Sequence, residues 1–264
     1  MKPMAAALPA LGAAALIALG VALPGSGRAD PPQGQGMTTP VPPPGAMKAL
    51  SPAERVAVEA VVRRYILDHP EIIPEAITAL QTGSVRKYIA ANRSEIEAPF
   101  GSAWAGARNG DVTLVEFYDY ACPYCQQAKA DVERLVHDDP RVKVVYRDYP
   151  VIAEASREAA LASLSAAVQG RHGAFYDRMY GTSGRLSHEK VVATVRAAGL
   201  NELKTARDLQ AKANAAEIEK NIEMGRALGM NGTPSYVVGD KVLVGAVGYD
   251  ALKAAVAEAR DRQG

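Results

Sequence analysis

DVTLVEFYDYACPYC, residues Asp111–Cys125, carries the strongest structural signal in the chain. Asp111–Tyr120 is rich in β-branched and aromatic side chains and reads as a strand. Val112 and Leu114 fall on one face of it, Val115 and Phe117 on the other. Apolar side chains on both faces predict a strand covered on both sides. The strand runs directly into Cys122-Pro123-Tyr124-Cys125, which holds the only two cysteines of the chain. A zinc site needs about four ligands; there is no second pair, and His69, His137, His172 and His188 are scattered. A c-type haem attachment needs histidine directly after the second cysteine, and residue 126 is Gln. A purely structural disulfide would close a loop too short to restrict the unfolded chain much. A redox-active dithiol accounts for the spacing and the lone pair together.

Past the pair, Gln126–His137 reads as a helix, so Cys122 falls where a strand ends and a helix begins. Unpaired backbone N–H groups and the positive end of the helix dipole stabilise a thiolate there. Thiols so placed have pKa values of roughly 3.5–7.5, against ~8.5 when free. Cys125 lies a turn further in and suits a resolving role, and Pro123 fits the first helical turn, where its missing N–H is not needed. Glu116, in the middle of the apolar strand, has two readings. It is either a solvent-facing strand residue or a partly buried acid that exchanges a proton with Cys125. Gly232-Thr233-Pro234 precedes another strand. It is either an ordinary turn or a cis-proline turn that presents the backbone of Thr233 to a peptide lying by Cys122.

Val142–Tyr146 reads as a second strand, mostly apolar and therefore central. Ala153–Leu228 is Ala-rich and helix-like, punctuated by Gly170, Gly181, Gly184 and Gly199. Ser235–Val238 and Val242–Val244 flank a Gly239-Asp240 turn, a hairpin signal. Ala251–Arg260 is a last helix. Strands alternating with helical stretches make the fold class α/β.

Upstream, residues 51–95 read as a short all-helical unit. Ser51, Pro52 and Glu54 form a helix start, followed by Val58, Val61, Val62 and Tyr65 at helical spacing. His69-Pro70 ends that helix, a second one carries Ile73, Ala76, Ile77 and Leu80, and Gly83 is expected to separate it from a third over Val85–Ser94. So short a unit encloses little core by itself, so its stripes must pack on the domain that carries the cysteines or on copies of themselves. Residues 30–50, densest in Pro, Gly and Gln over 30–46, are expected to form an extended linker. Residues 1–29, with Lys2, an apolar run from Met4 to Leu23 and Gly27-Arg28-Ala29, read as a cleaved export signal, against the alternative of a retained anchor. Export would place the mature chain in the periplasm, where disulfides form. Beyond residue 29 the balance is 28 basic against 29 acidic side chains, which offers no electrostatic footprint for nucleic acid.

Four segments together resemble the DsbA-type branch of the thioredoxin superfamily: VEFYDYACPYC (115–125), YRDYP (146–150), HGAFYDRMYG (172–181) and GTPSYVVGD (232–240). The resemblance covers roughly residues 100–262, within an expected catalytic domain over 100–264. It implies a thioredoxin fold with a helical insertion at about 151–230, Cys122 as nucleophile, Cys125 as resolving thiol, Pro234 as a cis proline and Glu116 at the family's buried-acid position. Pro123, Tyr124, Thr233 and Pro234 become the expected client-contacting positions. RRYILDHPEIIPEAITALQ (63–81) resembles the N-terminal segment of ScsC-like members, some of which self-associate through it and act as isomerases. Two positions depart from DsbA itself: Tyr124 stands where DsbA has histidine, and Thr233 precedes Pro234 as in isomerase-type and ScsC-like proteins.

The expected activity is thiol–disulfide exchange on exported client proteins, as oxidase or isomerase, with a membrane redox partner and a homo-oligomer as further partners. No cofactor or resident metal is expected. A chaperone or binding module, and a Cu(I)-handling protein using the reduced pair, are the alternatives.

Overall fold

The computed structural model describes residues 50–262; the expected export signal and nearly all of the expected linker lie outside the described residues. Two helices come first, α1 (Pro52–Asp68) and α2 (Ile72–Ile96). Ser51 and Glu54 cap α1 reciprocally: the Glu54 N–H donates to Ser51 Oγ at 3.3 Å, and the Ser51 N–H to Glu54 Oε2 at 2.9 Å.

The strands β1 (Trp104–Gly106), β2 (Val112–Tyr118), β3 (Val142–Asp148), β4 (Ser235–Val238) and β5 (Lys241–Val244) form one sheet in the order β1-β3-β2-β4-β5. β2 and β3 are parallel, with Glu116 opposite Tyr146 and Tyr118 opposite Asp148. A parallel pair requires a crossover, and α3 (Pro123–Asp138) supplies it. The remaining neighbours are antiparallel, and β4 sets Tyr236 opposite Glu116. Between β3 and β4 lie α4 (Glu154–Val168), α5 (His172–Gly181), α6 (His188–Ala197), α7 (Glu202–Leu209) and α8 (Lys212–Ala227); α9 (Tyr249–Asp261) ends the described chain. This is the thioredoxin fold with a helical insertion.

Strand alternation divides the core in two. Val112, Leu114, Tyr118, Val144 and Tyr146 pack with Val132 and Leu135 of α3 and with Leu252 and Val256 of α9. Val115, Phe117 and Val145, one residue out of phase, pack with Ile218, Ile222 and Met224 of α8 and with Ile89 and Ile96 of α2.

The structure departs from the sequence reading at three points. Gly83 does not interrupt a helix: α2 runs unbroken from Ile72 to Ile96, and no third helix starts at Val85. A mid-helix glycine costs only about 1 kcal/mol relative to alanine, while burial of Ile89 and Ile96 contributes roughly 1.5–3 kcal/mol each. The boundary near residue 95 also shifts, because the second half of α2 belongs to the core built on the sheet. Arg147, buried on β3, fixes that end: its guanidinium donates to the carbonyls of Ile96 at 3.1 Å, of Ala98 at 2.9 Å and of Glu95, and to Glu217 and Asn221 of α8. The Glu95 and Ile96 carbonyls belong to the last turn of α2 and Ala98 follows just past it, where a cation is favourable. Finally, β1 is an element that the sequence reading lacks; three residues are too few to show a period. Among the described residues no helix is long and apolar enough to cross a membrane.

Candidate functional site

Cys122 is the N-cap of α3, with extended backbone (φ −86°, ψ 114°), and Pro123 is the first helical residue. Its Sγ accepts from the backbone N–H of Cys125 at 3.3 Å and lies 3.1 Å from the carbonyl oxygen of Thr233, to which its thiol can donate. Both cysteines are buried and present as thiols. The Cys122 thiol is pulled down to about 6. Its causes are the hydrogen bond from the Cys125 thiol, then Thr233 and the N–H groups of Cys125 and Tyr124, which together outweigh burial. Burial pushes the Cys125 thiol far above its ordinary range, and its hydrogen bond to Cys122 adds to that. One sulfur is thus poised to ionise near neutral pH and the other holds its proton.

The Thr233–Pro234 peptide is cis, and the Thr233 carbonyl is the one that meets the sulfur. The Thr233 hydroxyl is buried with no hydrogen-bond partner among the described residues. Tyr124 is 60 % exposed, so its ring stands in solvent beside the pair. Pro123 is exposed at the same rim. The structure therefore gathers Cys122, Cys125, Thr233 and Pro234 at one point, with Pro123 and Tyr124 on its border.

Of the two readings of Glu116, the solvent-facing one is corrected: the side chain is fully buried. Its register beside Tyr146 and Tyr236 places it on the α3 face of the sheet. Oε2 accepts from the Tyr176 hydroxyl at 3.4 Å, and Oε1 has no partner among the described residues. Burial raises its pKa to about 8; the Tyr176 hydrogen bond and Lys129 oppose this, and the charge of Cys122 adds to it. The Lys129 ammonium sits 5.9 Å from the Tyr176 ring centre and pairs with Glu133 and with Asp177 at 3.0 Å.

Three further groups escaped the sequence reading. Asp119 is buried, and its carboxylate accepts from the N–H of Ala121 (2.8 Å), Val151 (2.9 Å) and Ile152 (2.9 Å), tying the bend before Cys122 to the loop after β3. Its bond to Ala121, two residues on, is an Asx turn, a local signal the sequence does carry. Asp148 and His172 are buried at one tyrosine: Tyr118 Oη donates to Asp148 Oδ1 at 2.8 Å and lies 3.2 Å from His172 Nε2. Burial raises Asp148 to about 8 and lowers His172 to about 3. Nothing local in the sequence marks that pairing.

Comparison with known proteins agrees with the geometry. The model of the DSBA-like thioredoxin domain matches residues 113–257, and that of the copper resistance protein ScsC N-terminal domain matches residues 54–83. A linker-deletion mutant of Proteus mirabilis ScsC is 30% identical, with 81% of this chain and 98% of that one covered at a TM-score of 0.68. A thioredoxin-like oxidoreductase from Silicibacter pomeroyi is 42% identical, with 60% and 91% covered and a TM-score of 0.58. The thiol-disulfide exchange protein alpha-DsbA2 from Wolbachia pipientis is 28% identical, with 68% and 97% covered and a TM-score of 0.59. Among curated proteins, the Na(+)/H(+) antiporter NhaA 1 of Salinispora arenicola is 28% identical over 157 residues, which are 58% of this chain and 24% of that protein, so the chain spans about a quarter of that relative's length. With a cysteine pair in this geometry and a family match over most of the fold, the chain belongs to the DSBA-like thioredoxin family and carries the ScsC N-terminal domain ahead of it, which makes it a DsbA/ScsC-family thiol–disulfide oxidoreductase whose C-x-x-C pair is Cys122 and Cys125.

Proposed function

We propose that the protein exchanges disulfides with cysteines of exported client proteins, with Cys122 as nucleophile and Cys125 as resolving thiol. The observation that supports this most directly is the contrast between the two sulfurs: Cys122 is lowered to about 6, while Cys125 is fully buried and raised. In the reducing direction the Cys122 thiolate attacks a client disulfide. A Cys122–client S–S bond forms, the client S–S bond breaks, and the departing client sulfur leaves as a thiolate. Cys125, having lost its proton, then attacks Cys122 Sγ, closing the Cys122–Cys125 disulfide and releasing the second client thiol. Oxidation of a client dithiol is the reverse sequence. Glu116, buried and raised to about 8, holds a proton at neutral pH that it gives to the Cys125 thiolate, and its ionised fraction takes that proton back when Cys125 attacks. Thr233 and Pro234 align the client backbone, and Pro123 and Tyr124 border it.

Isomerisation is the favoured direction, supported by apolar side chains on the N-terminal helices. No residue of α1 is buried, and Ile73, Ile77 and Leu80 of α2 are 47–72 % exposed. We read that stripe as a self-association surface, which would hold several Cys122 sites around one misfolded client. The periplasmic location is part of this proposal and rests on the sequence of residues 1–29; a membrane redox partner is proposed with it, to restore the working redox state of the pair.

The deciding experiment pairs two variants on a scrambled-disulfide client. Cys125→Ser should accumulate a mixed disulfide through Cys122, because no resolving thiol remains, and Cys122→Ser should form none. Equal trapping by both variants would reverse or abolish the assigned roles.

A further inference from the structure

A groove of about 350 Å³ opens beside Cys122, between the loop after β3 and the segment that joins α5 to α6. Cys122 and Pro123 form one end. Ile152, Met179 and Leu186 give it apolar walls, and Arg185 and Lys190 are the charged residues that line it. Among the described residues, no carboxylate does. Asp119, Glu154 and Glu189 each adjoin a lining residue in sequence but are not part of the lining, and Asp119 has turned both oxygens into the backbone amides of Ala121, Val151 and Ile152.

The two cations are not equivalent. The Lys190 ammonium donates to the carbonyls of Thr182 (2.7 Å) and Gly184 (3.2 Å), just past the C-terminus of α5, so its charge is partly offset by carbonyl dipoles and it braces the loop. Arg185 is exposed and makes no ion pair among the described residues. A neighbouring depression, which Arg185 also borders, holds Glu154 and Glu158, and Glu158 is taken by His188 at 2.7 Å. On the Cys122 side, the lining that Arg185 shares holds no carboxylate.

On the thiol-exchange reading, a client joined to Cys122 lies against Thr233, whose carbonyl is 3.1 Å from Sγ, on one side of its reacting cysteine. Its chain on the other side has this groove before it. The geometry points to a specificity role for the groove: it receives the client segment on one side of the reacting cysteine and favours a carboxylate side chain there, through Arg185. This rests on the thiol-exchange reading and adds the substrate class to it. Guanidinium pairs well with a planar carboxylate, and the apolar walls accept the stem of a glutamate side chain.

The test uses peptides with one cysteine, activated as a mixed disulfide, in which Glu or Lys is scanned across the flanking positions. Reaction with Cys122 is followed at low ionic strength. A small neutral disulfide, bis(2-hydroxyethyl) disulfide, serves as a reactant too small to use the groove. Glu should react faster than Lys by about two- to fivefold at positions on one side of the cysteine only, the size expected of one exposed ion pair, and salt should erase the difference. Arg185→Glu should invert that preference at the same positions and leave the neutral disulfide unchanged. Equal rates for Glu and Lys, a preference uniform on both sides, or an Arg185→Glu effect shared by the neutral disulfide would overturn the groove assignment while leaving thiol exchange intact. Failure of Cys122 to react with the neutral disulfide would instead overturn the exchange reading, and the groove assignment with it.

Discussion

At the residue scale, the chemistry turns on how the charge of one sulfur is shared. Cys122 gathers the Cys125 thiol, two backbone N–H groups and Thr233 around it, so its anion is the best-solvated state the pocket offers. The Thr233 hydroxyl has no other partner among the described residues, which leaves it free to turn its O–H toward the thiolate once Cys122 ionises. Thr233→Val keeps the shape and removes that donor. The Cys122 transition, about 6 in the native site, should therefore move upward, as read by thiolate absorbance or by the pH dependence of alkylation. Cys125→Ser is a suitable background, since its hydroxyl can still donate to Cys122. An unmoved transition in Thr233→Val would remove Thr233 from the groups that stabilise the thiolate.

At the element scale, α2 is one helix with two environments. Its second half buries Ile89 and Ile96 against β2, β3 and α8, and Arg147 holds its last carbonyls; its first half carries the exposed Ile73, Ile77 and Leu80. The two halves should answer mutation differently. Ile96→Ala should destabilise the fold by about 2–5 kcal/mol in denaturant titration, the usual cost of a large-to-small change in a core. Ile77→Asp should leave the intrinsic stability of the fold within about 0.5 kcal/mol but lower the mass measured by light scattering, if this half joins copies of the chain. A native protein that is already monomeric would end the self-association reading. Comparable destabilisation by both substitutions would show that the first half also packs on the fold.

At the scale of the whole molecule, the sheet face under α3 and α5 carries two carboxyls and one imidazole out of reach of water. Glu116 and Asp148 keep their protons up to about pH 8 in the folded chain, against ordinary values of 4.5 and 3.8. Folding takes up protons between those limits, so the stability these acids confer is full below about pH 4 and is lost as pH rises through 8. His172, lowered from 6.5 to about 3, works with the opposite sign: its contribution is present above 6.5 and is lost as pH falls through 3. With the cysteines held as a disulfide, so that neither titrates, the unfolding free energy should fall most steeply between pH 6.5 and 8, where the two acids act without His172. Asp148→Asn should remove roughly half of that slope while keeping an acceptor for Tyr118. A flat profile in the parent protein would mean that the two acids are hydrated or paired in solution.

The chemistry and the order of the elements are written locally in the amino-acid sequence. A lone C-x-x-C at the end of a two-faced apolar strand restricts the local structure to a strand-to-helix junction, and β-branched runs and glycine turns mark β2, β3, β4 and β5 through purely local preferences. Long-range packing settled the rest. Whether Gly83 breaks a helix depends on what lies beneath Ile89 and Ile96, a contact with α8 and the sheet that no local pattern encodes. Period-two patterning leaves open whether Glu116 faces solvent or core; the answer came from α5, some sixty positions away, which lays Tyr176 over it. The acid-free groove at Arg185 is likewise assembled at long range, from the start of α3, the loop after β3 and the segment that joins α5 to α6. Strand and helix propensities act over a few residues, whereas the burial that sets a pKa or shapes a groove is assembled from segments far apart in the chain.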